Sequence, residues 1–148
     1  MTIPHTDLTQ RPPRSVRARL GGYVLLPRML DKGRAEIAGT SGEYHYNCPL
    51  DQRILGFLGI DPDALRVELA TGKGDDEILK WIKAHQADQH PEAEIEAWSD
   101  AQGKRGADAE SKEFFAQYLS ECGPHRTDIK TWADLLDLDD YVTFGGKA

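Results

Sequence analysis

A chain of 148 residues, 39% hydrophobic and 29% charged, is long enough to bury a core in one domain without disulfides or a structural metal. No apolar run approaches the roughly 18 residues of a membrane span, and the polar stretch Met1 to Gln10 lacks the apolar segment of a secretory signal. These features argue against a membrane partner and predict a cytoplasmic protein, in which Cys48 and Cys122 are reduced thiols.

The net charge of −7 is unevenly spread. Residues 1–34 carry seven bases against two acids, whereas residues 35–148 carry eleven bases against 23 acids. Such asymmetry marks either a basic arm for an anionic partner or an arm lying across the protein's own acidic body. The acidic overall field repels polyanions, which argues against nucleic acid.

In chain order, Pro4, Pro12 and Pro13 hold residues 1–22 as an extended arm, and Gly21-Gly22 break it. Pro27 suits the start of a helix that Gly39 ends, with Gly33 inside it; a glycine there calls for a close backbone approach. Residues 40–47 read as a strand or extended loop, with Tyr44, Tyr46 and Cys48 alternating against Glu43, His45 and Asn47. Pro49 opens a second helix that stops at Gly59, and Asp61-Pro62 open a third that stops at Thr71-Gly72. Asp75 is the expected cap of a fourth, and Pro91 opens a fifth. Ser99 to Asp108 reads as a mobile, charged loop. A sixth helix follows, with Phe114, Phe115, Tyr118, Leu119 and Cys122 on its buried side. Thr131 and Asp134 form a capping box for the last. The pattern predicts a mostly α protein: about seven short helices in one compact domain, residues 23–148, behind the basic arm, residues 1–22. At most one short extended or strand segment is expected, near residues 43–48.

Two groups of residues carry possible chemistry. On a helix Arg28, Asp31, Lys32 and Arg34 are three and four apart, so Asp31 is placed to orient arginine forks that grip a carboxylate or phosphate. The plain alternative is a solvated face laced with weak ion pairs. In the second group, Cys48 caps the helix opened by Pro49, where unpaired N–H groups and the dipole favour a thiolate. His45 is close enough in sequence to act as its base and Asp51 to orient His45; the alternative is a small residue packed with Tyr44 and Tyr46. His45 with Cys48 and Cys122 with His125 also supply a zinc-like set, but a chain with this much core needs no metal, and neither metal nor cofactor is expected. Phosphate loops, dinucleotide fingerprints and hydrolase elbows are absent.

The runs Arg11-Pro12-Pro13-Arg14-Ser15, Leu20-Gly21-Gly22-Tyr23 and Leu26-Pro27-Arg28-Met29-Leu30-Asp31-Lys32 have a familiar pattern. It continues in Gly42-Glu43-Tyr44-His45-Tyr46-Asn47-Cys48-Pro49-Leu50-Asp51, in Phe57 through Asp61, and in Trp132 through Asp137. With these segments the chain resembles the bacterial domain-of-unknown-function family five thousand and sixty-nine (DUF5069). The resemblance implies a single-domain cytosolic protein. The family's name assigns no activity, so no catalytic or binding residue carries over from it. Three functions stay open. The first is a binding module for a small anionic ligand, lined by Tyr23, Arg28, Asp31, Lys32, Arg34, Tyr44 and Tyr46. The second is a thiol enzyme using Cys48, His45 and Asp51. The third is a scaffold whose arm, Arg11 to Arg19, meets a protein partner.

Overall fold

A computed structural model describes residues 3–148; Met1 and Thr2, the start of the expected arm, lie outside the described residues. Two short strands, β1 (Arg19–Leu20) and β2 (Tyr23–Val24), precede seven helices. These are α1 (Leu26–Ala38), α2 (Pro49–Leu58), α3 (Pro62–Leu69), α4 (Asp75–His85), α5 (Glu92–Lys104), α6 (Lys112–Cys122) and α7 (Trp132–Thr143). The fold is mostly α, as the helix signals imply.

The local signals act where expected. Gly39 and Gly59 take the left-handed conformation and end α1 and α2. The Asp61 side chain accepts from the Ala64 N–H. Thr131 and Asp134 close their reciprocal box at the start of α7.

α1 is the central helix. Every residue from Leu26 to Ala35 is buried, charged ones included, which is not the solvated face that the charge pattern alone permits. Gly33 marks its closest approach to a neighbour: a Cβ there would lie 2.7 Å from Leu69 Cδ1 and 3.1 Å from Tyr46 Cδ1. The expected close approach is therefore between α1 and α3. Leu26, Met29 and Leu30 join Ile54, Leu58, Leu65, Leu69, Ile78 and Ile82 in the main core.

Four expectations are corrected. First, of the two alternatives for residues 43–48 the structure takes the loop and not the strand, with turns at 42–43 and 46–47; Gly42 and Asn47 both have positive φ, which bends the backbone away from extended pairing. The strands lie instead on either side of Gly21 and Gly22. With φ of 59° and 86° these glycines make a two-residue hairpin turn, not a simple break. Second, Ser99 to Lys104 is the last part of α5. Ser99 is buried, donates to Gly22 O at 2.6 Å and accepts from Val24 N–H at 3.2 Å, pinning the helix to the hairpin. Third, Asp75 is the first residue of α4 and not its cap, because its carboxylate is taken by Arg14 and Arg34. Fourth, α6 has no fully buried residue; it rests on α7 and leaves Phe114 62% exposed.

The arm lies on the body. Ile3, Leu8 and Val16 are buried, and Leu8 N–H donates to Thr40 O at 2.9 Å. Its arginines meet the body's acids: Arg14 pairs with Asp31 and Asp75, Arg17 with Asp134 and Asp137, Arg19 with Asp100. Of the arm's four arginines, Arg11 alone has no such pair among the described residues.

Candidate functional site

Helical spacing divides the charged residues of α1 between two faces. Asp31 and Arg34 face the arm. Arg14 grips Asp31 through Nε (3.0 Å) and Nη2 (3.0 Å) and reaches Asp75 at 2.8 Å, while Arg34 meets Asp75 at 2.7 Å. Burial raises the Asp75 carboxyl, but hydrogen bonds from Arg14 and Arg34 outweigh it and hold the group below its usual range. Asp31 thus serves an arginine of the arm and does not orient Arg28 and Arg34.

Arg28 and Lys32 face the other way, into a cleft of about 720 Å3. Its floor is built from buried pairs. Arg28 makes a two-point contact with Asp140 at 2.7 and 3.2 Å, and the Tyr44 hydroxyl donates to the same carboxylate at 2.7 Å. Burial, then the neighbouring Asp140 charge, push the Tyr44 phenol up. Lys32 Nζ lies 2.9 Å from Asp51 Oδ1 and donates to Cys48 Sγ at 3.2 Å. Burial raises the Asp51 carboxyl, with Lys32 opposing it. Asp51 Oδ2 also accepts the N–H of Asn47 at 2.9 Å, which fixes the 43–48 turn to the start of α2.

The opposite wall comes from α6 and α7. Trp132, Phe114, Tyr118 and Leu136 line it. The Phe115 ring edge meets Trp132 at 4.9 Å between centroids. The Trp132 indole N–H is buried and has no partner among the described residues.

Two arginines stand on the rim, neither of them singled out by sequence patterning. Arg53, on α2, donates to Gln102 Oε1 at 2.8 Å. Arg105 follows α5 directly, with its guanidinium 5.7 Å from the Trp132 ring centre. Seven of the ten arginines are ion-paired; among the described residues Arg53 and Arg105 are not. Burial, then the nearby Arg53 charge, pull the Arg105 guanidinium below its usual range, with the Asp108 charge opposing them. Of the acids that line the cleft, Asp108 accepts from Ser111 and Asp139 from Tyr118, while Glu43 is exposed.

The cleft therefore brings together Arg28, Lys32, Tyr44, His45 and Cys48. It does not include Tyr23, which is 2% exposed and packs edge-on to Phe57. Nor does it include Tyr46, whose hydroxyl donates to Pro62 O at 2.7 Å. Asp31 and Arg34 belong to the arm face. His45 makes no hydrogen bond to Cys48 among the described residues, and Asp51 is committed to Lys32 and Asn47, so no His-based triad forms. Among the described residues no group of three His, Cys, Asp or Glu is placed to hold a metal ion, and no helix is long and apolar enough to cross a membrane.

A family model described as a domain of unknown function, DUF5069, matches residues 10–142. The chain belongs to the DUF5069 family. The match takes in every cleft-lining residue except Thr143, so the cleft is built almost wholly from the DUF5069 segment. No curated protein matches the chain.

Proposed function

We propose that the cleft binds a small anionic ligand, held at the rim by Arg53 and Arg105 and walled by Trp132 and Phe114. The observation that carries this reading is the pair of guanidiniums that line one cleft and make no ion pair among the described residues. A guanidinium presents a planar fork of donors suited to carboxylate or phosphate. Arg28 and Lys32, which the sequence favours as ligand contacts, are neutralised by Asp140 and Asp51. They shape the floor and set the position of Tyr44. The volume falls in the range of small-molecule sites. The two free thiols and the acidic surface fit a cytoplasmic setting.

A thermal-shift and titration screen against phosphates, nucleotides and carboxylates tests the reading, since a ligand that binds only the folded state raises Tm. The expected result is stabilisation by at least one anion, lost in the Arg53→Ala/Arg105→Ala double variant and kept in Arg11→Ala. No response to any anion, or an unchanged response in the double variant, overturns it.

A second reading rests on a separate contact: Lys32 Nζ donates to Cys48 Sγ, and both residues line the cleft. In this thiol chemistry Cys48 is the nucleophile and Lys32, held by Asp51, is the neighbouring charge in place of His45. Alkylation of the folded protein tests it, with Cys122 as internal standard; burial, then the Asp139 charge, push that thiol up. Cys48 is expected to label first, and equal labelling of the two removes the reading. A scaffold role for the arm has less support, because Arg14, Arg17 and Arg19 are engaged within the chain.

A further inference from the structure

We propose that the ligand of the cleft is a phosphate monoester carried on a planar aromatic body; this rests on the anion-site reading above and names its chemical class. Three features of the cleft converge on that class.

The first is charge. Arg53 and Arg105 both line the cleft, and neither makes an ion pair among the described residues, so two open forks are served by a dianion. A phosphate monoester, with a second pKa near 6, is largely dianionic at neutral pH and offers three terminal oxygens. Two arginine forks are then served by one group. A monocarboxylate has two oxygens and one charge, enough for a single fork. Asp108, Asp139 and Glu43 also line the cleft and keep their negative charge, so an anion is drawn to Arg53 and Arg105 and away from these acids.

The second is size. A cleft of about 720 Å3 is far larger than a bare phosphate needs, so the anion has a body attached. The third is the wall beside the arginines. Arg105 lies over Trp132, so a phosphate on Arg105 brings its carrier group against that aromatic surface. Phe114 continues the surface and is 62% exposed on a helix that buries no residue fully. Its ring meets Tyr118 edge-on at 6.0 Å and Trp132 at 6.3 Å. A flat ring stacks on such a surface whatever its hydrogen-bonding edge, whereas an aliphatic body gains less from it.

The experiment is calorimetric titration of the full chain with five probes: inorganic phosphate, glycerol phosphate, 1-naphthyl phosphate, adenosine monophosphate and 1-naphthoate. The two aromatic phosphates are expected to bind about tenfold or more tighter than glycerol phosphate, the scale of one stacking contact. Naphthyl phosphate is also expected to outbind naphthoate. Phe114→Ala, at an exposed position where the fold tolerates truncation, should erase most of the aromatic advantage, weakening the aromatic phosphates far more than glycerol phosphate. Arg53→Ala/Arg105→Ala should weaken every phosphate. Equal affinity for glycerol and naphthyl phosphates overturns the aromatic body while the anion site stands. Equal affinity for naphthoate and naphthyl phosphate overturns the dianion. Failure of all five probes overturns the phosphate class, and the anion reading itself falls only if the broader screen is also empty.

Discussion

The two faces of α1 use the same residue types to opposite ends. On the arm face, Arg14, Asp31, Arg34 and Asp75 close into a network in which each charge has its partner within the chain. On the cleft side, the floor is equally closed, but the rim carries Arg53 and Arg105, which make no ion pair among the described residues. The arm face therefore joins an extended segment to a helical body, and the cleft rim is where charge is left for something else. The difference teaches that the conspicuous basic run of the first 34 residues is mainly structural. The cations with spare capacity in the cleft stand at inconspicuous positions elsewhere.

The largest effects should come from the cleft floor. Arg28–Asp140 and Lys32–Asp51 have side chains no more than 8% exposed. Removing one partner strands a buried charge, which costs about 3–5 kcal/mol. Asp140→Ala and Asp51→Ala should each lose that much in urea unfolding, and Asp140→Ala also frees the Tyr44 hydroxyl. Replacing both members by apolar residues of similar volume, Arg28→Met with Asp140→Leu, should recover most of the loss. Single losses below 1 kcal/mol would mean that the floor is wet, and its contrast with the rim would disappear.

Gly33 gives the next effect. An added methyl would lie too close to Leu69 Cδ1, at 2.7 Å, and tightly against Tyr46 Cδ1, at 3.1 Å; both side chains are buried or half-buried, so overpacking costs about 1–3 kcal/mol. The better helix propensity of alanine returns up to about 1 kcal/mol. Gly33→Ala should be net destabilising, measured by Tm, whereas Gly56→Ala in α2, where a methyl meets nothing, should be neutral or stabilising. A stabilised Gly33→Ala would separate α1 from α3 at this point.

Such local features were the readable part of the chain. The glycine stops at 39 and 59, the Asp61 cap and the Thr131–Asp134 box each depend on residues near in sequence or on backbone geometry; at Gly33 the sequence shows that something comes close but not that it is Leu69 and Tyr46. Ser99 reads as loop from sequence because its partners, Gly22 and Val24, lie more than 70 residues away. Arg28 stands out in the sequence, but its counter-ion is 112 residues distant, so only the fold shows that it is paired. Arg53 and Arg105 share no motif. Only the fold brings α2 and the end of α5 to one rim, and only a full tally of ion pairs shows that these two are spare. Tyr23 and Tyr46 carry the same lesson in reverse: aromatic content near a basic run says nothing about which rings reach solvent.

Acid should act on the arm side more than on the floor, by a smaller amount. Burial raises Asp134, but the Lys130 N–H, Arg17 and Thr131 outweigh it and bring its carboxyl down to about 2. Asp75 is also held below its usual range. A carboxyl lowered in the folded state adds stability that is complete above its unfolded pKa and is lost as pH falls through the folded one. The loss should therefore run from about pH 4 down to about pH 2. Asp51 runs the other way: its raised carboxyl opposes folding once ionised, and that opposition lessens as pH drops. Asp134→Asn should flatten the acid limb of the stability curve. Because Asp134 and Arg17 are partly exposed, solvent screens the pair and the change is a fraction of 1 kcal/mol. An unaltered limb would place the acid sensitivity elsewhere.

The smallest effect on stability belongs to the residues given the functional role. Arg53→Ala and Arg105→Ala break no ion pair. Arg53 gives up one hydrogen bond, to Gln102, at an exposed position, and Arg105 gives up its contact with Trp132, worth about 0.5–1 kcal/mol at such a site. Against this, the double variant relieves the repulsion between two like charges. The net change should lie within about 0.5 kcal/mol of zero, with a mild gain at low salt that fades as salt screens the pair. Added phosphate or sulfate should then stabilise the parent protein and not the variant. A loss of 2 kcal/mol or more would reassign both arginines to holding α5 against α2. The rim would then be as structural as the arm face, and the case for a ligand would rest on the aromatic wall alone.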